Sequence, residues 1–293
     1  LIRINDSGTV QWTKRYTGTG MRINTALQIF EGGIERYMMC GWIGTGTSRD
    51  FLVMKTDSSG NILMKKQYGL SGKEDSCWNI ERDSNGNFLL VGHSGPADNT
   101  RDALVIKIDV SGNVIWANTY TTAGSYRDQL FFVNQTPNGY TFGGESWDFT
   151  GGSTEDSDKQ SLVIETTSSD GGVVWSRLYG DPGANKADVF VSFTEHSDGG
   201  YAFVGRTQSL GVISPNPTND DVFVVKTDAS GELCCTPNIS SDAGVTKAII
   251  SITPTTASVV DQGSLSLNFD QSVGITESLY TSSLTTTSIC SNP

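Results

Sequence analysis

The segment Asp109-Val110-Ser111-Gly112-Asn113-Val114-Ile115-Trp116-Ala117-Asn118-Thr119-Tyr120 decides the fold. Asp-x-x-Gly between two β-branched runs is hairpin chemistry. The Asp side chain caps the turn, and Gly takes the left-handed conformation that other residues resist. Upstream, Val105-Ile106-Lys107 is an aliphatic strand ending in a base.

Working outward, the segment recurs. The pair Trp116/Tyr120 returns as Trp12/Tyr16, Met64/Tyr68 and Trp175/Tyr179, and Cys235 stands at the Trp position of an incomplete fifth copy. Four residues before each first member is a glycine: Gly8, Gly60, Gly112, Gly171 and Gly231. The turn acid or amide is Asn5, Asp57, Asp109 or Asp228, and the base is Lys55, Lys107 or Lys226. The fourth copy departs, with Glu165 at the basic position and one extra turn residue. A second punctuation follows in each unit: Gly32-Gly33, Asn85-Gly86, Asn138-Gly139 and Gly199-Gly200. After it an aromatic precedes a glycine by four: Tyr37 to Gly41, Phe88 to Gly92, Tyr140 to Gly144, Tyr201 to Gly205.

Each unit therefore encodes about four short strands in two hairpins. A four-stranded sheet of ~50 residues cannot bury both faces alone and must stack on its neighbour. Radial stacking of such sheets is the β-propeller. The expectation is an all-β, propeller-like array of four-stranded blades: four repeats at about 1–50, 51–102, 103–160 and 161–221, plus a partial fifth at 222–236. Residues 237–293 are different material. Trp vanishes, Ser and Thr dominate, and period-two stretches such as Ser264-Leu265-Ser266-Leu267-Asn268-Phe269 predict a Ser/Thr-rich β arm. That arm packs on the array as an appendage, donates strands to a neighbouring molecule, or forms an O-glycosylated stalk.

The columns Asp-x-x-Gly-x-x-x-Trp-x-x-x-Tyr, Asp-Gly-Gly-Tyr-x-x-x-Gly and Asp-x-x-Val-x-Lys-x-Asp resemble the β-propeller repeats of secreted and surface proteins in bacteria and some protists. Asp198 to Gly205 and Asp221 to Asp228 fit best, and the likeness covers about residues 1–235. It implies a propeller but no activity, since propellers serve as enzymes, lectins, adhesins and scaffolds. Three arrangements fit the repeat count: a four-bladed ring with a redundant hairpin, a fifth blade completed by the tail, or further blades before residue 1. A five-blade-like arrangement or an open arc is favoured. Leu1, rather than Met, suggests a processed or truncated piece.

Composition excludes several classes. The net charge is −12, which repels nucleic acid and anionic membranes. No run of about 18 apolar residues predicts a membrane-inserting helix. Five cysteines, Cys40, Cys77, Cys234, Cys235 and Cys290, show no C-x-x-C spacing, so no zinc site is expected. A bridge from Cys234 or Cys235 to Cys290 would staple the tail. Cys40 and Cys77 either bridge adjacent blades or are small buried side chains. Asn5, Asn134 and Asn238 head glycosylation sequons near predicted turns. With possible disulfides, few lysines and abundant Ser and Thr, the expected location is extracellular or at the cell surface.

Chemistry is sparse. Gly92-His93-Ser94-Gly95-Pro96 fails as a nucleophile elbow for want of Gly at position 96. Gly18-Thr19-Gly20 lacks the third glycine and the helix of a dinucleotide loop. Asp83-Ser84-Asn85-Gly86-Asn87 has alternating oxygens, but its column mates mark it as a turn. His196 reads as a solvated turn residue, and Glu155-Asp156-Ser157-Asp158 as a solvated loop. No catalytic residue, metal or cofactor is expected. One constellation stands out. Directly after the Gly column come Trp42, His93, Glu145 and Arg206, which repeat symmetry brings to equivalent places. They are either unrelated strand ends or a polar-aromatic pocket for sugar, with Trp147 and Phe149 as an exposed stacking platform. The sequence therefore points to a non-enzymatic structural or adhesive protein that self-associates, as a filament or coat joined through its arm. The rival is a lectin-like glycan binder.

Overall fold

The Asp-x-x-Gly turns close as their chemistry predicts. Asp109 Oδ1 accepts from the backbone N–H of Ser111 (2.9 Å) and Asn113 (2.8 Å), and Gly112 sits at φ +76°. Asp57, Asp228 and Asn5 cap their turns in the same way. The computed structural model describes residues 1–96, 100–123, 127–147, 159–180, 187–208, 220–233, 240–242, 244–253 and 255–261.

The described chain is built of antiparallel strands and one short 3-10 turn at Gly46–Ser48. A half-sheet comes first, with β1 (Ile2–Ile4) and β2 (Val10–Thr13), followed by β3 (Tyr16–Thr17). Sheet one is β4 (Arg22–Glu31), β5 (Ile34–Ile43), β6 (Asp50–Asp57) and β7 (Ile62–Tyr68). Sheet two is β8 (Glu74–Arg82), β9 (Phe88–Gly95), β10 (Asp102–Ile108) and β11 (Val114–Thr121). Sheet three is β12 (Arg127–Gln135), β13 (Gly139–Trp147), β14 (Lys159–Thr167) and β15 (Val173–Tyr179). Sheet four is β16 (Asp188–Glu195), β17 (Tyr201–Thr207) and β18 (Asp221–Lys226). The first strands β4, β8, β12 and β16 contact one another in succession. The sequence repeat is half a sheet out of phase with these sheets. Residues 51–102 contribute β6 and β7 to one sheet, then β8 and β9 to the next.

The columns hold the seams between sheets. Tyr16 donates its hydroxyl to the Gly60 carbonyl (2.6 Å), Tyr68 to Gly112 (2.8 Å), Tyr120 to Gly171 (2.8 Å) and Tyr179 to Gly231 (2.6 Å). Each tyrosine of one sheet thus clasps the Asp-x-x-Gly turn region of the next. The tryptophans share an environment too: Trp12 meets Tyr37, Trp116 meets Tyr140 and Trp175 meets Tyr201 across the seam. Apolar cores fill the seams. Phe51 and Val53 pack with Ile106 and Ile108, and Val105 packs with Leu162 and Ile164. Burying a Tyr hydroxyl and a carbonyl is favourable only while they stay paired. Tyr120→Phe is therefore expected to cost about 1–3 kcal/mol, read as a lower denaturant midpoint. An unchanged midpoint would mean the clasp contributes nothing.

The basic column forms its ion pairs within its own sheet, while Lys55 and Lys107 also reach the next one, at the Val110 carbonyl and the Tyr140 hydroxyl. Lys107 pairs with Asp83 (3.1 Å), Lys55 with Glu31 (3.0 Å) and Lys226 with Asp198 (2.8 Å). Glu165, the exception, accepts instead from the Thr136 hydroxyl (3.0 Å), the Tyr201 hydroxyl (2.7 Å) and the Thr141 hydroxyl. Thr136 stands where the other sheets place the partner acid, so the buried Glu165 carboxyl has hydroxyl donors in place of a base.

The tail runs back along the outer edges. β19 (Ser240–Asp242) pairs with β15, β20 (Thr246–Ile249) with β11, β21 (Thr255–Thr256) with β7, and β22 (Val260–Asp261) with β3. Each edge strand gains a partner, which quenches its unpaired backbone groups. Ile252, Ala257 and Val259 are buried in the seam cores. Of the three arrangements open for the arm, residues 240–261 adopt the appendage packed on its own chain. No helix of the described residues is long and apolar enough to cross a membrane.

Candidate functional site

Every first strand carries a β-bulge at the same place, leaving Asn24, Trp78, Phe131 and Val191 as the extra residues. Opposite the bulge lies the Gly column. A Cβ on Gly41, Gly92, Gly144 or Gly205 would overlap the backbone carbonyl of Arg22, Ser76, Gln129 or Val189. The glycines are there for close approach rather than for a left-handed turn.

Directly after them, Trp42, His93, Glu145 and Arg206 occupy equivalent registers, opposite Arg22, Ser76, Gln129 and Val189 respectively. Three of the four join one network. Trp42 meets Trp78 edge-on at 5.5 Å between ring centroids. Trp78 donates its indole N–H to His93 Nδ1 (3.3 Å) and packs on Phe131. Gln129 lies beside the His93 imidazole and donates to the Glu145 carboxylate. Arg206 stands apart, exposed and paired with Asp220 at 2.8 Å. Neither linking residue was legible in the sequence: Trp78 is a bulge side chain that belongs to no periodic face, and Gln129 is a regular strand residue opposite Glu145 that stands in no repeated column.

Electrostatics keep the network closed. Burial holds the His93 imidazole well below the ordinary histidine range, and Arg101, Arg127 and Arg49 add repulsion. It is therefore a neutral acceptor at Nδ1. Glu74 pairs with Arg49 (2.5 Å) and Arg101 (3.4 Å). The Trp42 ring already carries the guanidiniums of Arg22 and Arg49 at 5.0 and 5.2 Å. Trp147 is buried, not exposed, and faces Arg127 at 4.4 Å and Lys159 at 3.9 Å. The stacking platform expected of it is thus taken up by cations; its companion Phe149 lies outside the described residues.

The remaining candidates are placed as follows. Cys40 and Cys77 are buried free thiols on adjacent sheets. Burial and the neighbouring Cys40 push the Cys77 thiol well above its usual value. In the structure the two thiols are neighbours and unbridged. Cys234, Cys235, Cys290 and Asn238 lie outside the described residues, as does the loop 155–158. Asn5 is a turn cap. Asn134 is a half-buried strand residue whose sequon threonine, Thr136, is buried on Glu165. His196 is an exposed turn residue beside Asp198 (3.1 Å). Asp83 is the anchor of a turn and of the Lys107 pair. No group of three or more metal-ligating side chains occurs among the described residues. A cleft of 570 Å³ opens beside the half-sheet, lined by residues including Arg3, Trp12, Gln28, Glu35 and Tyr37. There Arg3 pairs with Glu35 (2.9 Å), and the Tyr37 hydroxyl holds the Glu35 carboxyl below its usual range.

No protein-family model matches the chain, and no curated protein matches it. Among solved structures, it is similar to a protein of unknown function from Bacteroides caccae, at 11% identity and a TM-score of 0.29, over 79% of this chain and 86% of that one. A likeness that loose transfers neither fold nor function.

Proposed function

We propose that the chain is a non-enzymatic structural or adhesive scaffold of the β-propeller kind, working outside the cell or at its surface and assembling with further copies of itself. One observation carries this reading: the repeated side chains are committed to holding one sheet on the next. Tyrosines clasp turn glycines across the seams, and Lys55 and Lys107 add bonds to the Val110 carbonyl and the Tyr140 hydroxyl of the next sheet. The odd members, Trp42, His93 and Glu145, close on one another through Trp78 and Gln129. A neutral, buried histidine and aromatic rings covered by guanidiniums offer little to a substrate. The composition, with few lysines and many Ser and Thr, suits an exterior location. Assembly through the arm is less favoured than the sequence suggests, since residues 240–261 already pair with their own sheets.

The carbohydrate-binding alternative is tested on a glycan array with wild type, Trp42→Ala and Arg206→Ala. The scaffold reading expects no saturable glycan signal from wild type, and so none for the variants to lose. A saturable signal that falls in either variant would replace the scaffold with a lectin.

A further inference from the structure

The seam between sheets one and two holds a pair of groups that the clasps, ion pairs and aromatic network leave unused. Cys40 on β5 and Cys77 on β8 are both fully buried in one apolar core, and the Cys77 sulfur is in hydrogen-bonding contact with the Cys40 side chain. Their backbones are tied at the same level. Thr25, the cross-strand partner of Cys40, donates its hydroxyl to the Trp78 carbonyl (3.0 Å), and Asn24 donates its side-chain amide to the Cys77 carbonyl (2.7 Å). Thiols in contact on backbones held this way can be bridged without separating the sheets. The repeat shows what these two places otherwise hold. Cys40 directly precedes Gly41 as Val91 precedes Gly92, and Cys77 is the last paired residue before its bulge, as Leu130 is before the next one. Val91 and Leu130 pack in one apolar core at the following seam. At the seam after that, the two places are taken by Gly143 and Phe190. Cysteine therefore replaces both facing members of a single contact, and neither place carries it in any other sheet.

We propose that Cys40 and Cys77 are the site of a disulfide that bolts sheet one to sheet two. The reaction is thiol–disulfide exchange with a low-molecular-weight disulfide, R–S–S–R. One cysteine thiolate attacks a donor sulfur and expels RS⁻. The second cysteine then attacks the protein-bound sulfur of that mixed disulfide and expels another RS⁻. The two protons the cysteines lose end on two RSH, so the pair is oxidised by two electrons and the donor reduced by two. Access decides when this happens. In the closed seam both thiols are sealed, and burial keeps the Cys77 thiol protonated. Exchange therefore proceeds while the chain folds or when the seam opens, and the finished bridge is shielded from reductants by the same packing. It closes a loop that carries β6 and β7, which constrains the unfolded chain. An exterior location supplies such a donor, but the chemistry needs only the pair and the oxidant, so the inference stands apart from the scaffold reading.

The full chain refolded with oxidised glutathione, alkylated under denaturant, digested and mapped by mass spectrometry tests this beside a dithiothreitol-reduced sample. A peptide pair joined through Cys40 and Cys77 is expected in the oxidised sample and absent from the reduced one. Stability is read in the Cys234→Ser/Cys235→Ser/Cys290→Ser chain, which keeps only this pair of thiols. Its oxidised form is expected to have a higher urea midpoint than its reduced form, equivalent to an unfolding constant about 100-fold smaller. Cys40 and Cys77 recovered alkylated after oxidation, or joined to Cys234, Cys235 or Cys290, overturn the proposal. So do equal midpoints for the oxidised and reduced forms. If the triple variant does not fold, the peptide map of the wild type decides alone. Neither result bears on self-assembly, so the failure of one reading is not the failure of the other.

Discussion

Gly92→Ala is expected to prevent the chain from folding normally, or to lower its stability by at least about 3 kcal/mol. The added methyl would overlap the Ser76 carbonyl oxygen at the β8 bulge and press on the Phe51 ring at 2.9 Å. Neither side can yield easily. The carbonyl belongs to a strand paired along its length, and Phe51 is fully buried in the seam between sheets one and two. The comparison is Gly8→Ala. Gly8 is in the left-handed region at φ +78°, with open space around its Cβ position, so only the backbone penalty of about 1 kcal/mol is expected. Thermal unfolding of both variants separates the two uses of glycine. Equal, small losses would show that the bulges can relax.

The second large effect is a pH dependence at Asp75. This residue caps the link into sheet two, accepting from the Leu70 N–H at 2.6 Å. Burial pushes its carboxyl up from 3.8 to about 6, against the pull of its hydrogen bonds. Between those values the unfolded chain has released the proton and the folded one retains it. Stability from this group is therefore complete below pH ~4, falls as pH rises toward ~6, and is flat above. At ~1.4 kcal/mol per unit, the loss is about 3 kcal/mol. Asp75→Asn keeps an acceptor for Leu70 and removes the titration. Its stability gain over wild type should be near zero at pH 4 and reach a plateau above pH 6. Denaturant midpoints measured across that range check it, and a constant offset between the two proteins would remove Asp75 as the cause.

Repeated local chemistry was legible because a turn acid, a left-handed glycine and a strand pattern act within a dozen residues. Trp116 and Tyr120 announced themselves as a column, and Trp42, His93 and Glu145 as equivalent places. What the columns bind was not legible. Tyr120 clasps Gly171, 51 residues away, so the periodic unit runs from the middle of one sheet to the middle of the next. A period by itself carries no phase. The Gly92 column is visible in the sequence as a glycine four residues after an aromatic, but its reason is the bulge opposite it.

Sequence alone determined the all-β class, the turn positions and the number of repeats, all products of short-range propensity and patterning. Only tertiary structure decided that the repeats straddle their sheets, that Trp78 and Gln129 join three of the four candidates while Arg206 stays out, and that the tail laces its own edges. Those are pairings between backbone groups and side chains on different strands, brought together only by the fold. Backbone hydrogen bonds are the same for every residue type but proline, so no sequence pattern distinguishes which edge a strand will choose.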